Sequence, residues 1–138
     1  MHVEAMLHSH PAAAPSAHVS LARAIEACFD CAQATIACSD ACLAAPDPAR
    51  LARCIRICIE TSDIFQTTGR LLSHRVPTHP QIWESQMRAC CVAARMCAEE
   101  CENHSAHHDH CRICAEACRA CERACEALRM TLRTVQTA

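Results

Sequence analysis

The chain has 138 residues, a formal net charge of −2 at pH 7 and 51% hydrophobic residues, which fits one domain with a sizeable core. It contains 15 cysteines, one glycine and no tyrosine, and so few turn-forming glycines predict long helices rather than a β fold. The lack of a basic excess argues against nucleic-acid binding, and no apolar run is long enough to span a membrane.

The N-terminal segment, residues 1–17, is rich in histidine, alanine and proline, and we predict that it is disordered. It lacks the charged region and apolar stretch of a secretory signal, so we expect a cytoplasmic protein. Thiols stay reduced in the cytoplasm. A cysteine pattern there indicates metal or redox chemistry more often than disulfides.

Two helices are predicted in the first half of the remaining chain. Ser20 is a candidate N-cap for a helix over residues 20–44. The sequence PDP then ends that helix, with Asp47 as a capping residue and Pro48 in the first turn of a second helix. We expect the second helix to end near residue 74.

Two further helices are predicted in the second half. Pro80 lies where a third helix should begin, and we expect this helix to end near residue 102. The histidine-rich stretch NHSAHHDH leads into a fourth helix, from about residues 107–110 to residue 134. Four helices joined by short connections predict an all-α fold, an antiparallel up-down four-helix bundle over residues 18–138.

Each predicted helix carries a row of side chains spaced by three and four residues, which places the row on one inward face. Cysteine fills most of these positions, although leucine would fill a core better. The stretch CRICAEACRACERAC in the fourth helix has five cysteines in a single row. The cysteines on inward rows are Cys28, Cys31, Cys38, Cys42, Cys54, Cys58, Cys90, Cys97, Cys101, Cys111, Cys114, Cys118, Cys121 and Cys125. We therefore expect a core lined with thiols.

The two ends of this bundle are expected to differ. Thiols gather near the loop at Pro46 and the histidine-rich connection, whereas bulky apolar side chains gather at the opposite end and form an apolar plug. The plug consists of Leu21, Phe65, Leu72, Trp83, Leu128 and Leu132. Four inward positions without sulfur are expected to shorten the thiol column at its plugged end. These sulfur-free positions are Thr35, Thr61, Phe65 and Ala94.

The rows suit a soft metal ion better than disulfides or structural zinc. Side chains one helical turn apart are too far apart for a disulfide, and the odd number of cysteines weighs against complete pairing. Structural zinc is held by compact groups of four ligands. Cu(I) prefers thiolates and accepts two or three of them, which suits rows in which one thiolate bridges two ions. The rows therefore predict a store for multiple Cu(I) ions.

This pattern resembles the copper storage proteins in their cytosolic form, over about residues 20–135. The resemblance lies in the CxxC and CxxxC steps on four helices and in the histidine-rich connection before the last helix. It implies a four-helix bundle, a homotetramer and an interior that holds many Cu(I) ions on the inward cysteines. The chain shows no catalytic set of residues, so we expect no enzymatic activity, and it indicates no particular copper donor or acceptor protein.

Histidines at the thiol-rich end are expected to receive copper and pass it inward, because imidazole also binds copper. The favoured histidine ligands are His104, His108 and His110. Candidate accessory ligands are Cys91, which lies off the inward row, Met87 and His107.

Two other functions stay open: a general thiol buffer for zinc or cadmium of the metallothionein type, and a redox protein that uses its CxxC pairs. A feature of the second helix bears on assembly. Apolar residues also lie off its inward row, which predicts that a partner chain covers this helix. These residues are Ile55, Ile57, Ile59, Ile64 and Leu71.

Overall fold

The structure, a computed structural model, describes residues 2–12, 18–76 and 78–137, without the side chains of residues 134–137. Within these ranges all regular secondary structure is helical, which confirms the predicted α class. The α-helices are α1 (Val3–Ser9), α2 (His18–Leu43), α3 (Ala52–Leu72), α4 (Pro80–Glu102) and α5 (Asp109–Thr137). A 3₁₀-helix, Pro48–Leu51, directly precedes α3.

Part of the segment predicted to be disordered is helical. Helix α1 packs against α2, and its Leu7 is buried with 4% exposure. The imidazole rings of His8 and His18 also stack, with centroids 4.0 Å apart. Val3 and Leu7, four residues apart, form the face of α1 that packs against the core. The rest of the predicted tail, residue 1 and residues 13–17, lies outside the described residues.

Neither predicted capping residue makes a capping hydrogen bond with its side chain. Ser20 lies inside α2, which begins at His18, and its hydroxyl is 3.4 Å from the hydroxyl of Thr131. Asp47 takes the N-cap position, but its side chain makes no capping hydrogen bond, and its carbonyl accepts the N–H of Arg50 at 3.3 Å. The segment from residue 48 therefore begins with a 3₁₀ turn rather than with the first turn of α3.

The four long helices enclose a common interior. Helix α2 packs against α3 and α5, and α4 packs against the same two helices. In the described part of the chain, α2 makes no comparable contact with α4, nor α3 with α5. The single glycine, Gly69 of α3, allows the ring of Phe29 to approach closely, since a Cβ atom there would lie 2.9 Å from Cζ of Phe29.

The side chains predicted to face inward are buried. The inward cysteines, the sulfur-free positions and the plug residues are all at most 6% exposed, except Leu132, which is half-buried. This burial confirms that three- and four-residue spacing identified the core faces. As far as the described residues extend, no helix has the length and apolar character that crossing a membrane requires.

Candidate metal centre

Twelve of the fourteen inward cysteines, all except Cys31 and Cys118, converge in four groups of four buried thiols. Within each group the sulfur atoms lie no more than 4.8 Å apart. One group shares no member with the others and is called the isolated group. It consists of Cys28, Cys90, Cys121 and Cys125. The other three overlap and are called the shared groups. They are Cys38–Cys54–Cys58–Cys101, Cys38–Cys42–Cys54–Cys111 and Cys58–Cys97–Cys101–Cys114.

The distances between sulfur atoms suit metal ligation. In the isolated group, Sγ of Cys28 lies 3.9 Å from Sγ of Cys90 and 3.8 Å from Sγ of Cys125. In the shared groups, the sulfurs of Cys54 and Cys101 are 3.7 Å apart. All the cysteines are free thiols. A metal ion with bonds of about 2.3 Å to two sulfurs at such a distance has an S–metal–S angle of roughly 110°, so an ion fits between neighbouring thiols.

The shared groups differ from a series of separate four-ligand sites. Cys38 and Cys54 each belong to two of these groups, and so do Cys58 and Cys101. A thiolate that belongs to two groups can bridge two metal ions. The geometry therefore supports a connected cluster of ions as well as single ions.

The sulfur-free positions interrupt the thiol column on two helices instead of shortening its end. On α2, Thr35 stands between Cys31 and Cys38, and on α4, Ala94 also has cysteines on both sides. Cys31 lies 3.3 Å from Cys118, so thiols meet on the far side of Thr35 from Cys38. The prediction of a shortened column is therefore wrong for α2 and α4. Of the four long helices, only α3 contributes no cysteine to the isolated group.

Burial raises the pKa of two thiols, one at the histidine-rich end of the thiol column and one off the inward row. Burial, together with charge repulsion from the nearby sulfurs of Cys38 and Cys54, raises the pKa of Cys42 to about 12. Burial also raises the pKa of Cys91 to about 12. Such thiols are protonated at neutral pH in the metal-free protein. Since metal ligation requires thiolates, loading must release protons.

The thiols of the isolated group ionise unequally. Hydrogen bonding to Cys125 and Cys28 lowers the pKa of Cys121, whereas hydrogen bonding with Cys121 raises the pKa of Cys28. One thiolate is thus stabilised by the protonated thiols around it, which are then harder to ionise. Metal ions that bind to this group must therefore displace the protons of its thiols.

One predicted histidine ligand touches the thiols. Nε2 of His110 lies 3.4 Å from Sγ of Cys42, a member of a shared group. The ring of His108 lies next to that of His110, with centroids 5.3 Å apart. The structure therefore brings two of the three favoured histidines together at the thiol column.

The third favoured histidine, His104, is hydrogen-bonded to a carboxylate instead. Its Nε2 lies 3.2 Å from Oε1 of Glu100, and Oε2 of Glu100 accepts a hydrogen bond from Arg53 at 3.1 Å. Glu100 was not among the site residues predicted from the sequence. The available signal was the spacing of four residues between Glu100 and His104, which places them on the same helical face. His107 is exposed.

The other accessory candidates lie apart from the four groups. Sγ of Cys91 is 3.8 Å from Oε2 of Glu126 and 4.0 Å from the carbonyl oxygen of Glu122, so Cys91 packs against α5. Met87 faces inward on α4 with 1% exposure. Neither side chain belongs to a group of thiols that could hold an ion.

A helical core filled with overlapping groups of thiols defines a class of protein that binds several soft metal ions in its interior. The sequence profile of the Csp family, described as copper storage protein, matches residues 17–130. The chain therefore belongs to the copper storage protein family.

Solved structures of copper storage proteins are similar to this chain. The copper storage protein Ccsp from Streptomyces lividans, loaded with 10 copper equivalents, is 39% identical, with a TM-score of 0.88 over 91% of this chain and 96% of that chain. A cytosolic copper storage protein from Streptomyces lividans with five coppers is 42% identical, with a TM-score of 0.78 over 80% of this chain and 92% of that chain. No curated protein sequence is significantly similar to the chain.

A variant of the Streptomyces lividans protein is also similar. Two of its histidines are replaced by alanine, and it is 39% identical to this chain, with a TM-score of 0.80. The match covers 82% of this chain and 95% of that chain.

Proposed function

We propose that this protein stores and buffers multiple Cu(I) ions on cysteine thiolates in its helical core. The observation that carries the proposal is the membership of Cys38, Cys54, Cys58 and Cys101 in two groups of thiols each. Because a shared thiolate can bridge two ions, the core can hold more ions than separate sites would. The test is to count the Cu(I) ions that the protein retains against a tight Cu(I) chelator.

Buffering of zinc or cadmium is the second candidate, because four thiols within 4.8 Å can surround one tetrahedral zinc ion. Two observations favour Cu(I). Cu(I) needs only two or three thiolates, so it can use overlapping groups at the same time. The chain also belongs to the copper storage protein family, and the similar Streptomyces lividans structures are loaded with copper.

A redox protein that uses its CxxC pairs is less well supported, and we propose that the protein has no catalytic turnover. A reactive thiol needs solvent access and a low pKa. The thiols of all three CxxC pairs, Cys28–Cys31, Cys111–Cys114 and Cys118–Cys121, are at most 1% exposed, so none has solvent access. In the first pair both thiols also have raised pKa values. Hydrogen bonding among neighbouring thiols is the main cause for Cys28.

For the architecture, we propose that residues 18–138 form an antiparallel up-down four-helix bundle. Successive long helices pack against one another, and α5 also packs against α2, as expected when each short connection reverses the chain direction. We also propose a cytoplasmic location. The Streptomyces lividans relative is described as cytosolic, which supports it.

We propose that copper is received at a histidine mouth, formed by His104, His107, His108 and His110. The contact between His110 and Cys42 supports this direction, since it joins an imidazole to the thiol column. The apolar plug defined above would close the opposite end. Copper would then pass from sulfur to sulfur without release into water.

Replacing His104, His108 and His110 with alanine is expected to slow both uptake of Cu(I) and its removal by a chelator by about tenfold. The number of ions bound at equilibrium should change by no more than a few, because the thiols are intact. Stopped-flow measurement of loading and unloading checks this. Phe65→Ala and Leu128→Ala, which alter the plug, serve as controls and should not accelerate exchange. Faster exchange in these controls, with wild-type rates in the histidine variant, would show that the polarity is reversed.

We further propose that the protein is a homo-oligomer, a tetramer as the family resemblance implies. Helices α3 and α4 border a groove of about 710 Å³ whose lining includes Ile57, Ile64, Val92 and Met96. Val92 is 45% exposed and Met96 43% exposed. An apolar groove of this kind, open to solvent, favours coverage by another copy of the chain.

A further inference from the structure

Glu100 of α4 connects the histidine mouth to helix α3. Its Oε1 lies 3.2 Å from Nε2 of His104, and its Oε2 accepts the Nε–H of Arg53 at 3.1 Å. The Glu100 side chain is only 13% exposed, and that of His104 is 24% exposed. Both carboxylate oxygens are thus engaged in a partly desolvated place, where a hydrogen bond to a charged group is stronger than at the surface.

The contact with Glu100 determines which nitrogen of His104 is available for a metal. A carboxylate can only accept a hydrogen bond, so Nε2 must carry a proton. In neutral imidazole the lone pair then lies on Nδ1. Nδ1 has no hydrogen-bond partner among the described residues. The nitrogen that can bind Cu(I) is therefore Nδ1.

His104 lies close along the chain to a cysteine of the shared groups. Its backbone N–H donates to the carbonyl of Cys101 at 3.0 Å, so it stands at the end of α4 directly beyond that cysteine. Cys101 belongs to two of the shared groups. The backbone of His104 is therefore hydrogen-bonded to that of a cysteine that two groups share.

We propose that Glu100 is a positioning residue, which fixes the ring and the tautomer of His104 so that Nδ1 receives Cu(I), while Arg53 holds the carboxylate in place. This inference rests on the proposed histidine mouth. Carboxylates that accept the second N–H of a ligand histidine orient it and raise its basicity, and their loss typically costs 10–100-fold in metal affinity or activity.

The structure supplies a matched control two residues further along α4. Glu102 also makes an ion pair between helices, with its two oxygens 2.8 and 3.1 Å from Arg119. It contacts no histidine among the described residues. Glu102→Gln removes the same charge and a comparable ion pair, but it leaves His104 unchanged.

The kinetic test is a double-mutant cycle on the initial rate of Cu(I) uptake, with a weak Cu(I)–chelator complex as donor. Glu100→Gln should slow uptake about tenfold, and Glu102→Gln should not slow it. In a His104→Ala background, Glu100→Gln should have no further effect. The final number of bound ions should change by no more than a few in any of these variants.

A second readout on the metal-free protein does not depend on copper. Imidazole ¹⁵N chemical shifts should show protonated Nε2 and unprotonated Nδ1 for His104 in the wild type, and a mixture of tautomers in Glu100→Gln. Circular dichroism confirms that the variants are folded. If Glu100→Gln prevents folding, Arg53→Gln tests the same positioning role, because it removes the ion pair that holds the Glu100 carboxylate in place. Arg53 is 79% exposed and contributes little to the core, so this variant should fold.

The outcomes separate this inference from the proposed function. If His104→Ala slows uptake but Glu100→Gln does not, or if the two effects add, the positioning role of Glu100 is wrong while the histidine mouth stands. If His104→Ala takes up copper at the wild-type rate, His104 does not receive copper, and the positioning role of Glu100 is wrong as well. A wild-type tautomer in Glu100→Gln also overturns the positioning role.

Discussion

Replacing both Cys58 and Cys101 with alanine is expected to remove up to about four of the Cu(I) ions that the protein holds at saturation. These two cysteines occur together in two of the shared groups. If each thiolate bridges two ions, the loss of two thiolates affects the coordination of as many as four ions. Titration with Cu(I) in competition with a chelator measures the loss.

Cys91→Ala is the matched control, since Cys91 is a buried cysteine of α4 outside every thiol group. It should leave the number of ions unchanged. Circular dichroism before loading separates a lost site from a lost fold. Equal losses in the control and the double variant, or no loss in the double variant, would contradict the assignment of copper to the shared groups.

Replacing both Ile57 and Ile64 with glutamate is expected to convert the oligomer into smaller species. Both isoleucines line the groove between α3 and α4, next to the exposed side chains of Val92 and Met96. Two buried carboxylates without partners in a subunit interface would cost several kcal/mol. Sedimentation velocity should show the smaller species, with the number of bound copper ions largely unchanged.

Ile113→Glu is the control for this experiment. Ile113 is an isoleucine on α5 with 49% exposure, and it does not line the groove. Its replacement should leave the assembly intact. An unchanged oligomer in the Ile57→Glu, Ile64→Glu variant would show that another face of the protein forms the interface.

Side-chain spacing predicted the faces of the helices well. The rows spaced by three and four residues are buried, and the predicted bounds of the third helix agree with α4, Pro80–Glu102. The signal was strong because a single wide apolar stripe on each helix can be buried only against other helices. Cysteine at most of these positions then limited the chemistry to a few soft metals and redox reactions.

Side-chain spacing could not predict which sulfur atoms of different helices lie close to one another. Which thiols approach one another depends on the axial offset between helices, and a shift of one residue moves a side chain by about 1.5 Å along the axis. Spacing within one helix contains no information about that offset. The row on α2 already has Cys31 on the far side of Thr35 from Cys38, but only the offset between α2 and α5 brings Cys31 within 3.3 Å of Cys118.

Contacts that join separate parts of the chain were also missed. Leu7 is buried against α2, although disorder was predicted because its segment is rich in histidine, alanine and proline. The contact between Glu100 and His104 follows helical spacing, but the pairing of Glu100 with Arg53 depends on the packing of α3 against α4. Local sequence cannot reveal such a partner.

The central claim is that the thiol-lined core holds many Cu(I) ions at once. The most direct measurement is a titration of the reduced, metal-free protein with Cu(I), followed by competition with a tight Cu(I) chelator. We predict retention of about seven Cu(I) ions if the fourteen inward thiolates do not bridge and about fourteen if each of them bridges two ions. Saturation at one to three Cu(I) ions would contradict storage.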